Sequence, residues 1–228
     1  MPQFLKETEL DESLPKWMEA VRDFKARFRS LDVERSALLV IDMQNDFLLE
    51  NGALPAWGGP AIIPRLQRLI KSYRSVNRPI IYTRHCYFNP EIDGGTTAEW
   101  WGMDRDSTVL HASLPGSEIH TELAPLSSDL VLTKQRYSAF QNTNLESVLR
   151  QFQVRDVVIS GVTSNCCCEA TAHEALFRDF HVFFLADGCG GTNEATHIAS
   201  LRDIACFYGT VLTCEELISQ IRIPHQHG

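Results

Sequence analysis

Several common devices are missing from this chain. It has seven cysteines, yet no two are spaced C-x-x-C, so neither a zinc ribbon nor a dithiol redox centre is written into it. The count is odd and three thiols are consecutive at 166–168. Neighbouring thiols do not staple a small domain, so a disulfide framework is set aside and a reducing, cytoplasmic setting is expected. No apolar run approaches the ~20 residues needed to cross a bilayer. Residues 1–20 are acidic and amphipathic, without the basic-then-apolar plan of a signal peptide. Basic charge is not in excess: the net charge is −8, so neither nucleic acid nor an anionic membrane is an expected partner. Internal repeats and low-complexity tracts are absent as well, which excludes solenoids and long disordered linkers.

What is present fits one α/β domain. The 228 residues are 44% hydrophobic and 22% charged, enough for a sizeable core. Residues 1–35 form a polar N-terminal extension in which Leu14, Trp17, Met18, Val21 and Phe24 recur at helical spacing. They predict a short amphipathic helix that packs on the main body or on a second subunit. From residue 36 to 228 apolar runs and helical patterns alternate. Strands are predicted at 37–41, 79–83, 129–133, 157–159, 181–186 and 211–212, with helices at 62–76, 117–123, 143–152, 166–177, 193–207 and 215–221. Thr143 to Glu146 reads as a capping box. Alternation of this kind predicts a Rossmann-like, six-stranded, mainly parallel sheet with helices on both faces and right-handed crossovers. Residues 84–117 form a long connection with little periodicity, a binding loop or lid by its length. Tyr87, Trp100 and Trp101 in it can wall a pocket or simply pack. The tail, with His225 and His227, is expected to fray rather than bind metal.

Three polar groups of different chemistry stand at the ends of apolar strands: Asp42, Lys134 and the thiols Cys166, Cys167 and Cys168. In a parallel sheet those ends converge on one edge, where ligands bind. The thiols follow a buried strand and open a helix, and a helix start stabilises a thiolate and offers N–H groups to an oxyanion. A lysine favours the thiolate; a carboxylate can take the thiol proton and pass it to a leaving amine. Each group also has an ordinary structural reading. Asp42 can cap a turn, Lys134 can be a solvated strand end, and free cysteine is among the most buried residue types. Successive helix positions differ by about 100°, so the three thiols cannot all face one cleft; at most one is the expected nucleophile and the other two are expected to pack.

The segments IDMQNDF (41–47), LTKQRYSAF (132–140) and SGVTSNCCCEATAHEA (160–175) resemble the isochorismatase-like cysteine hydrolases, whose amidohydrolase branch includes nicotinamidases, N-carbamoylsarcosine amidases and ureidoacrylate amidohydrolases. The resemblance covers residues 36–220. It implies a nucleophile at Cys167, with Asp42 and Lys134 completing a triad, and a non-proline cis peptide at Val162–Thr163 that places the Thr163 N–H beside that of Cys167 as an oxyanion hole. It further implies a cofactor-free hydrolase acting on the C–N bond of a small amide, ureido or carbamoyl compound, assembled as a homo-oligomer, dimer or tetramer. Gln44, Tyr87, Trp100, Trp101 and Phe140 are the substrate-binding candidates. Two features refine this. Isochorismatases proper look similar here but carry glycine where this chain has Cys167. Vinyl-ether hydrolysis with Asp42 as proton donor is therefore the alternative, and a non-catalytic ligand binder is a third. Nicotinamidases typically show an Asp-x-His pair and a further His for a metal. Here residues 84–89 hold only His85, so no metal is expected and nicotinamide is the less favoured substrate.

Overall fold

Six apolar runs become six strands of one sheet: β1 (Ser36–Ile41), β2 (Ile80–His85), β3 (Leu130–Lys134), β4 (Asp156–Val162), β5 (His181–Gly190) and β6 (Thr210–Leu212). Their spatial order is β3-β2-β1-β4-β5-β6, and every neighbouring pair is parallel. The computed structural model describes residues 4–27 and 29–222; His225 and His227 lie outside them. β1 and β4 are buried at every position, which is why they read as unbroken apolar runs rather than as alternating ones.

The helices are α1 (Glu7–Ala20), α2 (Asn45–Leu48), α3 (Ile63–Ser75), α4 (Gly95–Trp100), α5 (Leu145–Gln151), α6 (Glu169–Leu176), α7 (Glu194–Asp203) and α8 (Cys214–Arg222). α3 connects β1 to β2, and α6 connects β4 to β5. These crossovers leave the central β1–β4 pair in opposite directions, so right-handed connections place their helices on opposite faces. α3 buries Leu66, Leu69, Ile70 and Tyr73 and packs with α8. α1 packs on α7 and β5 of the same chain, with Leu10 and Trp17 buried.

The chain reverses its winding between β1 and β4, and this is the crevice where such sheets take ligands. The two strands approach closely there. Gly161, at φ +112°, faces the Ile41 carbonyl so tightly that a Cβ would collide with it. Only glycine fits that conformation and that gap.

The elements depart from the sequence reading in several places. One helix was expected over residues 117–123; instead two single 3-10 turns, Pro115–Ser117 and Thr121–Leu123, occupy the region, because the Ser117 carbonyl and hydroxyl are taken by Gln44 and Arg84. The long connection contains α4, preceded by a wide π-type turn at Pro90–Gly94. Thr143 does not form the predicted capping box: its hydroxyl donates to the Ala139 carbonyl and accepts from the Leu145 N–H.

Candidate active site

Each component comes from the carboxyl end of a different strand. Asp42 follows β1 directly and has a positive φ of 50°. Its Oδ1 accepts from the Thr83 hydroxyl of β2 at 2.6 Å, and the Asp42 N–H donates to Thr83 Oγ1 at 3.1 Å. Lys134 ends β3, two strands away. Its long side chain passes β2 and brings Nζ to 2.7 Å from Asp42 Oδ2, with both side chains fully buried. It also donates to the Arg136 carbonyl at 2.9 Å. Burial works against the Lys134 ammonium, but Asp42 and Cys167 outweigh it and raise its pKa. The ammonium is therefore held charged inside the protein.

The thiols lie in a turn wider than expected. After the cis Val162–Thr163 peptide, residues Ser164–Cys168 form a single π-type turn that leads into α6. The N–H groups of Cys166 and Cys168 both donate to the Thr163 carbonyl, which folds the turn back on itself. Cys166 and Cys167 line the cavity, whereas Cys168 is fully buried. A carboxylate oxygen of Asp42, a ring nitrogen of His85 and the Cys167 sulfur lie within 4.8 Å of one another.

Electrostatics corrects one expectation. The surroundings of Cys167 work against its thiolate. A hydrogen bond with Cys166, then burial, push its pKa well above the ordinary thiol range; Lys134 opposes this, and Asp42 adds to it. The same hydrogen bond lowers the pKa of Cys166. Lys134 is ion-paired to Asp42, and its pull on sulfur 167 is outweighed by the Cys166 hydrogen bond and burial.

His85 is the site residue the sequence reading missed. It ends β2, and its Nε2 lies 2.9 Å from the Tyr87 hydroxyl. Burial, Lys134 and Arg136 all lower its pKa, so the ring is neutral. Strand alternation offered the clue: Thr83 and His85 are two apart on β2 and share a face, and Thr83 holds Asp42. The Asp42, His85 and Cys167 donors do not fit a resident metal ion. Lys134 already neutralises Asp42, and a cation there would stand against the ammonium.

Above the cluster opens a cavity of about 500 Å³. Phe47, Leu54, Tyr87, Met103, Leu110 and Tyr137 form its apolar wall; Thr163, Asn165 and Thr192 supply polar groups. Trp101 stands at the mouth, its Nε1 donating to the Tyr137 hydroxyl at 2.8 Å. Asp46, inside the 41–47 segment, accepts from the Leu110 N–H at 2.8 Å and the Ala53 N–H at 3.4 Å, tying two wall segments to α2. Of the substrate-binding candidates, Tyr87 and Trp101 line this cavity. Gln44, Trp100 and Phe140 lie away from it. The Gln44 amide is buried and bonded to the backbone of His85 and Ser117. Trp100 is 84% exposed, one helix position away from the mouth residue. Phe140 stacks on Phe180 with ring centroids 6.0 Å apart.

A doubly wound parallel sheet with buried charge and sulfur gathered at its switch point defines an α/β protein of the Rossmann-like class. Residues 36–216 match the model of the Isochorismatase domain, and the chain belongs to that family. It is 34% identical to nicotinamidase 3 of Arabidopsis thaliana over 87% of this chain and 94% of that one. It is 31% identical to an isochorismatase of Bacillus subtilis over 84% of this chain and 59% of that one. Among solved structures, a cysteine hydrolase from Pseudomonas syringae pv. phaseolicola 1448A superposes with a TM-score of 0.81 at 29% identity, covering 85% of this chain and 95% of that one. Among the described residues no helix is long and apolar enough to cross a membrane.

Proposed function

We propose that this protein hydrolyses the C–N bond of a small uncharged amide, ureido or carbamoyl compound through an acyl-enzyme on Cys167. Asp42 takes the thiol proton as sulfur attacks the carbonyl carbon, which suits a thiol that is neutral at rest. The N–H groups of Thr163 and Cys167 receive the oxyanion. Asp42 passes its proton to the departing nitrogen, and ammonia or an amine leaves. A water then gives Asp42 a proton as its oxygen attacks the acyl carbon, and the proton returns to sulfur as the acid is released. Lys134 holds Asp42 in place and balances its charge throughout. No cofactor enters these steps.

The observation that carries this reading is the buried Asp42 carboxylate, ion-paired to Lys134 and within 4.8 Å of the Cys167 sulfur. The cavity supports an uncharged substrate with a flat or apolar body, since no arginine or lysine is among the described residues that line it. Ammonia release, screened over amides, ureido and carbamoyl compounds, tests the proposal, with the Cys167→Ala protein as blank. Turnover lost by at least about 10³-fold in the variant is the expected outcome; unchanged turnover would exclude the thiol mechanism. The similarity to an isochorismatase favours a second reading, vinyl-ether hydrolysis by Asp42 with Cys167 a bystander. Pyruvate release from isochorismate that survives thiol alkylation would establish it instead.

A further inference from the structure

The N-terminal helix reaches the turn that carries the thiols. α1 lies ahead of residues 36–216, the part that matches the family model. Trp17 on α1 is buried, and its ring stands edge-on to the ring of His197 on α7, centroids 4.5 Å apart. The Trp17 N–H donates to Glu194 at 3.1 Å, and Lys16 pairs with the same carboxylate at 2.9 Å. His197 is fixed at both nitrogens. Nε2 lies 3.0 Å from the Ala186 carbonyl, which can only accept, so the ring proton sits there. Nδ1 must then accept from the Ser164 hydroxyl, 2.9 Å away. Ser164 is the first residue of the thiol turn. Space around this contact is closed: a Cβ on Gly191 would press on both the His197 Cβ and the Ser164 Oγ.

We propose that α1 is a positioning element for the thiol turn, acting through the line Trp17–His197–Ser164, and that it holds Cys167 against Asp42. The role in catalysis rests on the function proposed above; the mechanical coupling does not. Trp17 fills the space behind the imidazole, the imidazole takes the only hydrogen of the Ser164 hydroxyl, and the hydroxyl fixes the start of the turn. Loosening any link frees the turn locally without opening the sheet. A sulfur displaced by about 1 Å from its base loses much of its effectiveness.

Peptide-resolved labelling with iodoacetamide reads this directly. In the native protein Cys167, Cys189 and Cys214 are all buried. In Trp17→Ala and in Ser164→Ala, Cys167 labelling is expected to rise about three- to tenfold, the loss of one hydrogen bond or its support, while Cys189 and Cys214 stay at the native rate. The double variant should label Cys167 no faster than the faster single one, since both act on one line. Trp17→Phe, which keeps a ring edge against His197, should restore the native rate. If Trp17→Ala does not fold, Trp17→Leu takes its place with the same expectation. Equal gains at all three thiols would mean global loosening and overturn the proposal. So would unchanged Cys167 labelling, additive effects, or failure of Trp17→Phe to rescue. Labelling needs no substrate, so amide hydrolysis that persisted in Cys167→Ala would refute the proposed function and leave this test standing.

Discussion

Lys134 and Asp42 are worth following as single residues, because each would be untenable alone. Both are 0% exposed, with 2.7 Å between the charged atoms. Removing one partner of a buried pair leaves an unsolvated charge, at a cost of about 3–5 kcal/mol. Lys134→Met should therefore lower unfolding stability in urea by about that much, and Lys134→Met with Asp42→Asn should recover a good part of it. If the single variant were as stable as the native chain, the charged pair would be a misreading. Sulfur chemistry yields another residue-level expectation. Cys167 has a raised pKa and Cys166 a lowered one, both through the bond they share. Cys166 is also the more exposed. At pH 7 iodoacetamide should label Cys166 first, with Cys167 gaining only as the pH climbs beyond the ordinary thiol range. Mass mapping that found Cys167 modified ahead of Cys166 at neutrality would revive the resting thiolate that the helix start alone suggests.

At the level of elements, the β1–β4 contact is the one that cannot be adjusted. Gly161 pairs with Ile41 in the register, and Ile41 leads straight into Asp42. A methyl group at 161 must push β4 away from β1 while the backbone stays at φ +112°, so Gly161→Ala should cost more than about 3 kcal/mol. Thermal melts together with ammonia release check this; a variant with native melting and turnover would show that the strands can separate there at no cost. The strands were legible because burial on both faces leaves an apolar run. Their carboxyl ends were less so. β5 continues to Gly190, well past Ala186, because Cys189 and Gly190 pair with Gly161 and Val162 after an irregularity in the ladder, and small polar residues announce nothing of the sort. α4 was hidden for a similar reason. Its Gly-Thr-Thr start is weak helix sequence, and the Arg136 guanidinium that packs against Gly95 comes from 41 residues further along the chain.

Across the whole molecule, the convergence of Asp42, Lys134 and Cys167 was foreseeable, since parallel topology sends strand ends to one edge wherever the intervening loops go. The cavity wall was not. It draws on the loops before α3 and before β3, and Trp101 rather than Trp100 reaches it, a choice set by one helix position. Buried imidazoles, too, become visible only in the assembled fold, and they give the protein an acid limit. His197 is held neutral by burial, with its pKa lowered to about 4 from 6.5; His85 is shifted the same way. A folded-state pKa below the unfolded one means that the unfolded chain takes up the proton first. Stability is thus complete above about pH 6.5 and falls as the pH drops toward 4. For His197 alone the loss is about 2 kcal/mol by pH 5, and His85 adds to it. Urea unfolding at pH 7 and pH 5 measures the difference, and an unchanged midpoint would mean that these rings accept protons where they sit. Because His197 stands between α1 and the thiol turn, its protonation would also reverse the hydrogen bond with Ser164, Nδ1–H then donating to the hydroxyl oxygen.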